Sequence, residues 1–282
     1  MSGFSPEWLA LREPADRDAR SHALLERVGA HFAGRREMLV LDIGCGTGST
    51  LRALAPRLPE HQFWRLVDHD PALLAAARER LAAWAEEAED AEGGDLVLTV
   101  AERTVRVRLE QADLAPGVAR LLAPAPALVT ASALFDLVSP AWIDGFAREC
   151  AAAGAAVYAA LTYNGLSAWD PPHPADAAVL DAFHVHQGRD KGFGAAAGPD
   201  APAALEQALE AQGYACEAAD SDWVLGPDDG ALMAELATGI AQAAAETGAV
   251  PPAEAQAWAA ARAGARRAII GHTDLFAVPP RS

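Results

Sequence analysis

Two kinds of segment alternate along this chain: short apolar runs that stop at a polar residue, and longer stretches whose apolar positions recur every three or four residues. The first kind reads as buried strands and the second as amphipathic helices, and their succession predicts an α/β fold with a mostly parallel sheet. Leu39-Val40-Leu41-Asp42-Ile43 is the first run, and Gly44, Gly46 and Gly48 follow it on alternate positions. Phe63-Trp64-Arg65-Leu66-Val67 ends at Asp68, after which Asp70 and Pro71 supply an N-cap and a first helical residue. Leu74, Ala77, Leu81, Trp84 and Ala88 then form the buried stripe of a helix. The acid-rich residues 86–92 read as its solvated end, frayed because acids near a helix C-terminus oppose the macrodipole. Segments 95–100 and 104–109 alternate apolar and polar positions and predict a hairpin whose second arm is the third strand.

Residues 127–130 and 155–161 are the next two apolar runs, leading into Ala131–Leu137 and into Thr162-Tyr163-Asn164-Gly165. Segments 203–212 and 214–219 predict a helix and a short strand, two Ala-rich helices fill roughly 229–246 and 252–266, and 267–278 is a final strand. Ahead of the first strand, Leu24, Leu25, Val28 and Phe32 repeat at helical spacing, so residues 1–36 read as an arm of one or two helices. Segment 163–200 differs from its surroundings. It is dense in polar, aromatic and glycine residues, and directly after a strand it reads as a lid or substrate pocket.

The three glycines define the chemistry. A dinucleotide site wants G-x-G-x-x-G, but the position of its third glycine is Ser49; a phosphate loop needs a following Lys, and none is there. The pattern D-x-G-x-G-x-G, from Asp42 to Gly48, resembles motif I of the class I S-adenosylmethionine (SAM)-dependent methyltransferases, and the resemblance extends over roughly 37–165 and the last strand. It implies a Rossmann-like, doubly wound seven-stranded sheet closed by an antiparallel final strand, and SAM as cofactor. It places Asp68 on the ribose hydroxyls with His69 beside it, Asp113 and the Leu114 amide on the adenine, and Ser132 in the loop after the fourth strand. Arg20, with Arg12 second, is the candidate for the SAM carboxylate. An acidic rim containing Asp42 suits the sulfonium and ammonium charges of SAM and would be awkward beside a pyrophosphate. The expected division is an arm over 1–36 and a methyltransferase domain over 37–282, with a lid insertion at about 163–200 and a helical insertion at about 228–266.

The reaction so implied is methyl transfer to an O, N or C nucleophile of a small soluble metabolite. His184, His186, Asp136 and Tyr163 are the candidates for orienting that acceptor or removing its proton, since a neutral imidazole suits a base near pH 7. Phe135, Asn164, Trp169, Gln187 and Lys191 are candidates for binding it. The competing reading of both histidines is a surface or structural role. Spermidine synthase-like transfer, a non-catalytic SAM-binding module and a nicotinamide dehydrogenase remain the alternatives.

Composition narrows the partners. A formal net charge of −17 disfavours nucleic acid, which needs a basic face to replace its counterions. No apolar stretch is long enough to span a membrane. The three cysteines, Cys45, Cys150 and Cys216, form no metal spacing and predict no metal site and a reducing, cytoplasmic setting. A homodimer contact is one role open to the Ala-rich helix pair.

Overall fold

A computed structural model describes residues 4–280. In chain order the elements are α1 (Pro6–Ala19), α2 (His22–Phe32), β1 (Glu37–Ile43), α3 (Ser49–Leu54), β2 (His61–Asp68), α4 (Pro71–Trp84), β3 (Glu87–Asp90), β4 (Leu96–Val100) and β5 (Arg103–Gln111). They continue as β6 (Leu128–Ser132), α5 (Pro140–Ala153), β7 (Ala156–Asp170), α6 (Asp176–Gln187), α7 (Ala201–Glu210), β8 (Ala215–Asp220), β9 (Trp223–Leu225), α8 (Gly230–Glu246), α9 (Pro252–Arg262) and β10 (Arg267–Val278). One sheet runs β3-β4-β5-β2-β1-β6-β7-β10-β8, with β9 pairing to β10. The five strands from β5 to β7 are parallel, and β10 inserts antiparallel between β7 and β8. Strand order reverses at β1, which lies between β2 and β6, so the crevice outside their carboxyl ends is the switch point where open α/β sheets bind ligands.

Three apolar clusters hold the molecule together. The first packs α2, α3 and α4 on one face of the sheet around Trp64, and the second packs α5 and α7 on the other face around Leu41, Ile43 and Phe146. The third lies beyond the sheet's edge, where Trp169, Trp223, Met233 and Trp258 gather α6, α8 and α9 onto the outer half of the β7–β10 ribbon. Fully burying side chains of this size stabilises the fold by about 1.5–3 kcal/mol each. This third cluster forms a helical cap against which Trp8, Leu11 and Ala15 of α1 also pack.

The structure departs from the sequence expectation in three places. The sheet has ten strands and not seven, because β3 and β4 extend one edge by a hairpin and β9 adds to β10. Residues 87–90 are not a frayed helix end: α4 stops at Trp84, and Glu87–Asp90 pairs antiparallel with β4 as an exposed edge strand, so Ala88 belongs to no helical stripe. The hairpin offers these residues a ladder, and their charges guard the open edge against pairing with another chain. Nor is 163–200 a loop. β7 continues through it to Asp170 beside β10, and α6 follows, packed against α8, so the two expected insertions form a single cap. Among the described residues, no helix is long and apolar enough to cross a membrane.

Candidate functional site

At the switch point β1 runs out into Gly44, Gly46 and Gly48, with φ of +61°, +52° and +78°. These left-handed values disfavour any residue with a Cβ, and at Gly46 that Cβ would also stand 3.0 Å from Leu9 Cδ1 of α1. The turn is pinned from β2: the Cys45 amide donates to the Val67 carbonyl at 3.0 Å, and the Gly46 amide to Asp68 Oδ2 at 2.9 Å. The other Asp68 oxygen accepts the Asp70 amide at 3.0 Å and lies 3.2 Å from His69 Nδ1. Beneath the loop, Thr130 donates to Asp42 Oδ1 at 2.7 Å, while Asp42 Oδ2 is buried without a partner. Burial pushes the Asp42 carboxyl up to about 7, against the pull of Thr130 and Arg20. Burial also pushes the Cys45 thiol up, so it stays protonated.

α1 roofs this loop with a stripe that inverts the usual amphipathic order. Its buried side chains are Arg12 and Asp16, four apart on one face, and the residue just past its end, Arg20, is buried too. Arg12 binds Asp16 through Nε at 2.8 Å and Nη2 at 3.0 Å. The Trp223 indole donates to Asp16 at 3.0 Å, and its ring lies 5.0 Å from the Arg12 guanidinium. Arg20 reaches further, its Nη2 donating to Ser132 at 3.1 Å and to Ser49 and Thr50 at 3.4 Å. Its Nη1 is buried with no hydrogen bond of good geometry; the Tyr158 hydroxyl, which donates to Asp274, is the neighbouring oxygen toward which Arg20 leans. Glu13 fastens the roof by ion pairs to Arg52 and Arg80, and Arg80 also donates to Thr47 at 3.1 Å and to the Pro6 carbonyl at 2.8 Å.

Next to this site two residues are strained, one just past the end of β6 and one within β7, where β6 stops pairing with it. Ala133 (φ +50°) and Leu161 (φ +55°) hold left-handed conformations without being glycine, each costing about 1–3 kcal/mol. The Ala133 amide donates to the Ala160 carbonyl at 2.9 Å and the Leu161 amide to Asp274 Oδ1 at 2.8 Å. Beyond these kinks Asp136 and Tyr163 come within electrostatic reach of each other. The Tyr163 hydroxyl stands 3.0 Å from His184 Nε2, and Tyr163 is the donor in the tautomer that carries its proton on Nδ1. Burial lowers the His184 pKa and keeps the imidazole neutral. Asp136 is buried with Oδ1 unpartnered; burial raises it to about 6, and Arg12 and Lys191 are the cations that face it. Tyr163 also packs edge-on against Phe183 and His272. Gly271 sets His272: its β10 bulge lets β7 approach so closely that a Cβ there would stand 2.1 Å from Asn164 Oδ1. Burial, then the Arg12 charge, lower His272 to about 4.

The fold thus gathers Asp42, Gly44, Gly46, Gly48, Asp68, Ser132 and Arg20 in one chamber, and Asp136, Tyr163, His184 and Lys191 in the next. The other expected site residues have surroundings of their own. His186 turns outward to Glu246 at 3.0 Å, and Trp169 stacks edge-on against Trp258 in the cap. Phe135 is core, packed with Trp142 and Phe146, because the turn that exposes Asp136 to the site points its neighbour inward. Asn164 folds back on the Leu166 amide at 3.1 Å, and Gln187 packs against Gly198 with Oε1 buried and unpartnered. His69 is exposed beside Asp68; Asp113 is exposed after β5 with its carboxylate on the Ala115 amide, and the buried Leu114 gives its carbonyl to Trp142. Sequence reasoning missed Asp16, Thr130, Trp223, His272 and Asp274. Polar His272 and Asp274 within an otherwise apolar final strand, and the charges four apart on α1, were the available signals.

Residues 41–124 match a family model described as a methyltransferase domain. No curated protein matches the chain. Among solved structures it is similar to a cyclopropane-fatty-acyl-phospholipid synthase-like protein from Lactobacillus casei, 13% identical, with 94% of this chain and 98% of that one covered and a TM-score of 0.52. The YcgJ protein of Bacillus subtilis is 15% identical, over 93% of this chain and 100% of its own, with a TM-score of 0.50. At these identities the likeness concerns the fold.

Proposed function

We propose that the chain, whose residues 41–124 match a methyltransferase-domain model, is a class I enzyme that transfers the methyl group of SAM to an O, N or C nucleophile of a small soluble metabolite. One observation carries the reading. Arg20 Nη1 and Asp42 Oδ2, a buried cationic donor and a buried acceptor, both lack partners beside the glycine loop. Leaving such groups unpaired costs free energy, and a ligand with a carboxylate and an ammonium would satisfy both. The methionine end of SAM is such a ligand, so the residues fit it, with Ser49, Thr50 and Ser132 fixing Arg20 and with Asp68 at the end of β2 for the ribose.

Bound there, SAM supplies an electrophilic methyl whose transfer breaks the C–S bond and leaves its electron pair on sulfur. The protein's part is alignment and exclusion of water. In this reading the arm 1–36 closes over the cofactor, and 163–200 with 228–266 covers the acceptor. Tyr163 holds the acceptor's nucleophile, His184 takes its proton through the Tyr163 hydroxyl, and Asp136 fixes its orientation. The free, buried thiols of Cys45 and Cys150 support a reducing, cytoplasmic setting.

Isothermal titration with S-adenosylhomocysteine and with NAD, on wild type and Asp68→Ala, tests the cofactor. The expected result is binding of S-adenosylhomocysteine that the substitution abolishes; binding of NAD alone would overturn the proposal. Methyl-labelled SAM added with the enzyme to a metabolite extract should give a labelled small product. Repeated failure across extracts would indicate a binding module instead.

A further inference from the structure

We propose that the acceptor is a small amino acid, held by its carboxylate on Lys191 and Arg12 and by its amine on Asp136 and Tyr163, and methylated on nitrogen. The inference rests on the methyltransferase reading and names its substrate class.

Lys191 is the only lysine in the sequence; the other 21 of its 22 basic residues are arginines. The site arginines are each tied by part of the fork to a fixed internal partner, Arg12 by Nε and Nη2 to Asp16 and Arg20 by Nη2 to Ser132, which leaves Nη1 of each as its remaining donor. A lysine is a compact charge with three rotatable donors on a flexible stem, suited to meeting a ligand. The loop that carries it is built in detail. Asp190 Oδ1 accepts the amides of Gly192 at 2.7 Å and Gly194 at 3.0 Å, and Phe193 packs edge-on against Trp142 with centroids 5.8 Å apart. Gly194 sits where a Cβ would be 3.5 Å from Ser139, at the start of α5 and close to the turn bearing Asp136. So anchored, Lys191 lies within electrostatic reach of Asp136, and among the described residues its ammonium has no hydrogen bond and no ion pair within 4.0 Å.

The charges in this chamber are complementary but unjoined. Asp136 Oδ1 is buried and unpartnered, and Arg12 uses Nε and Nη2 on Asp16, leaving Nη1. A plain carboxylic acid would bring a second anion beside Asp136. A plain amine would occupy Asp136 and leave Lys191 without a counter-charge, Arg12 being paired with Asp16 already. A zwitterion compensates both sides at once, which a desolvated site rewards. Tyr163 packs edge-on against Phe183 and His272, which gives these groups an aromatic neighbour.

The proton balance closes on the same residues. The bound ammonium gives one proton to the Tyr163 oxygen as the Tyr163 proton moves to His184 Nε2. The freed nitrogen pair forms the N–C bond while the C–S bond of the methyl donor breaks and its electrons stay on sulfur. His184 is only half-buried and returns the proton to solvent.

Because the chain has one lysine, an amine-acylating reagent reports on this site alone. Wild-type protein saturated with S-adenosylhomocysteine would be treated with N-hydroxysuccinimidyl acetate in the presence of each of the 20 common amino acids, and Lys191 acetylation read by mass spectrometry against the chain's α-amine. We expect one or a few amino acids to protect Lys191 and not the α-amine, and to accept label from methyl-labelled SAM. Their decarboxylated and deaminated counterparts should protect about 10- to 100-fold less well, as expected for a lost charged hydrogen bond. Lys191→Met should raise KM for that amino acid by about the same factor, with kcat and S-adenosylhomocysteine affinity little changed, and Lys191→Arg should recover most of the loss. Binding of S-adenosylhomocysteine with no protection by any amino acid overturns this inference and leaves the methyltransferase reading standing. Equal protection by the bare amine or the bare acid overturns the zwitterion. No binding of S-adenosylhomocysteine overturns the methyltransferase reading and this inference with it.

Discussion

The carboxylate of Asp274 accepts the backbone amide of Leu161 at 2.8 Å, across the boundary between β10 and β7. That bond holds Leu161 in its left-handed conformation and so turns Thr162 and Tyr163 toward the site. The second Asp274 oxygen accepts the Tyr158 hydroxyl and the Ser21 amide, each at 3.0 Å, which ties the same point to the start of α2. A fully buried carboxylate thus joins the arm, the last strand and the acceptor chamber.

Asp274→Ala strands three donors at once, two of them backbone amides. Each unsatisfied buried group costs about 1–3 kcal/mol, so the variant should lose roughly 3–5 kcal/mol after relaxation. The urea midpoint reports this. A midpoint within error of wild type would mean that the strain at Leu161 is held by something else.

Arg20 and Asp68 should separate by ligand. Arg20→Met removes the group assigned to the carboxylate and should weaken S-adenosylhomocysteine by about 10- to 100-fold. The same variant should bind 5′-methylthioadenosine, which has a ribose but no amino-acid tail, as wild type does. Asp68→Ala should weaken both. Titration calorimetry with the two nucleosides distinguishes this from a general collapse of the loop, in which Arg20→Met would lose both ligands.

Asp42 makes stability depend on pH in an unusual direction for a carboxylate. Its folded value, about 7, lies above its ordinary 3.8, so between these limits the native state binds more protons than the unfolded chain. The stabilising contribution is complete below pH 3.8 and is lost as pH rises toward 7. His272 opposes it: its folded value of about 4 lies below the ordinary 6.5, so its contribution is lost as pH falls from 6.5 toward 4. The readout is therefore the difference between wild type and Asp42→Asn, which leaves His272 unchanged. The variant's Tm should gain on wild type as pH rises through this window, by roughly 2–6 °C, and the difference should level off above it. A difference that does not change with pH would show that Asp42 is ionised throughout.

What could be read from the sequence follows from what is local. The loop from Asp42 to Gly48 and the acid ending β2 are contiguous signals, since a strand end and the turn after it lie together in the chain. The placing of Asp274 against Leu161 is not of that kind. It depends on β10 entering antiparallel between β7 and β8, and no spacing encodes that 113-residue separation. Phe135 and His186 show the same limit at finer grain. Each adjoins or nearly adjoins a residue that faces the site, but a 3-10 turn and a helix point neighbours in different directions. The acidic strand β3 was misread because propensity and macrodipole arguments apply to a helix end only where no hairpin offers its ladder.

The Tyr163–His184 pair predicts the shape of the pH–rate curve. Burial lowers the His184 pKa from its ordinary 6.5, so the neutral, proton-accepting form persists below that pH. With an accepted substrate, kcat should rise with pH through an apparent pKa below 6.5 and then level off. Tyr163→Phe cuts the hydrogen-bonded route between acceptor and imidazole and should lower kcat by about 10²- to 10⁴-fold, with S-adenosylhomocysteine affinity unchanged. His184→Gln can still accept from Tyr163 but cannot keep the proton. It should therefore fold and bind like wild type, lose a similar factor in kcat, and lose the acid limb of the profile. If His184→Gln lowers kcat but leaves that limb where it was, the titrating base is another group. Asp136, which burial raises to about 6 against the pull of Arg12 and Lys191, would then be the one to replace with Asn.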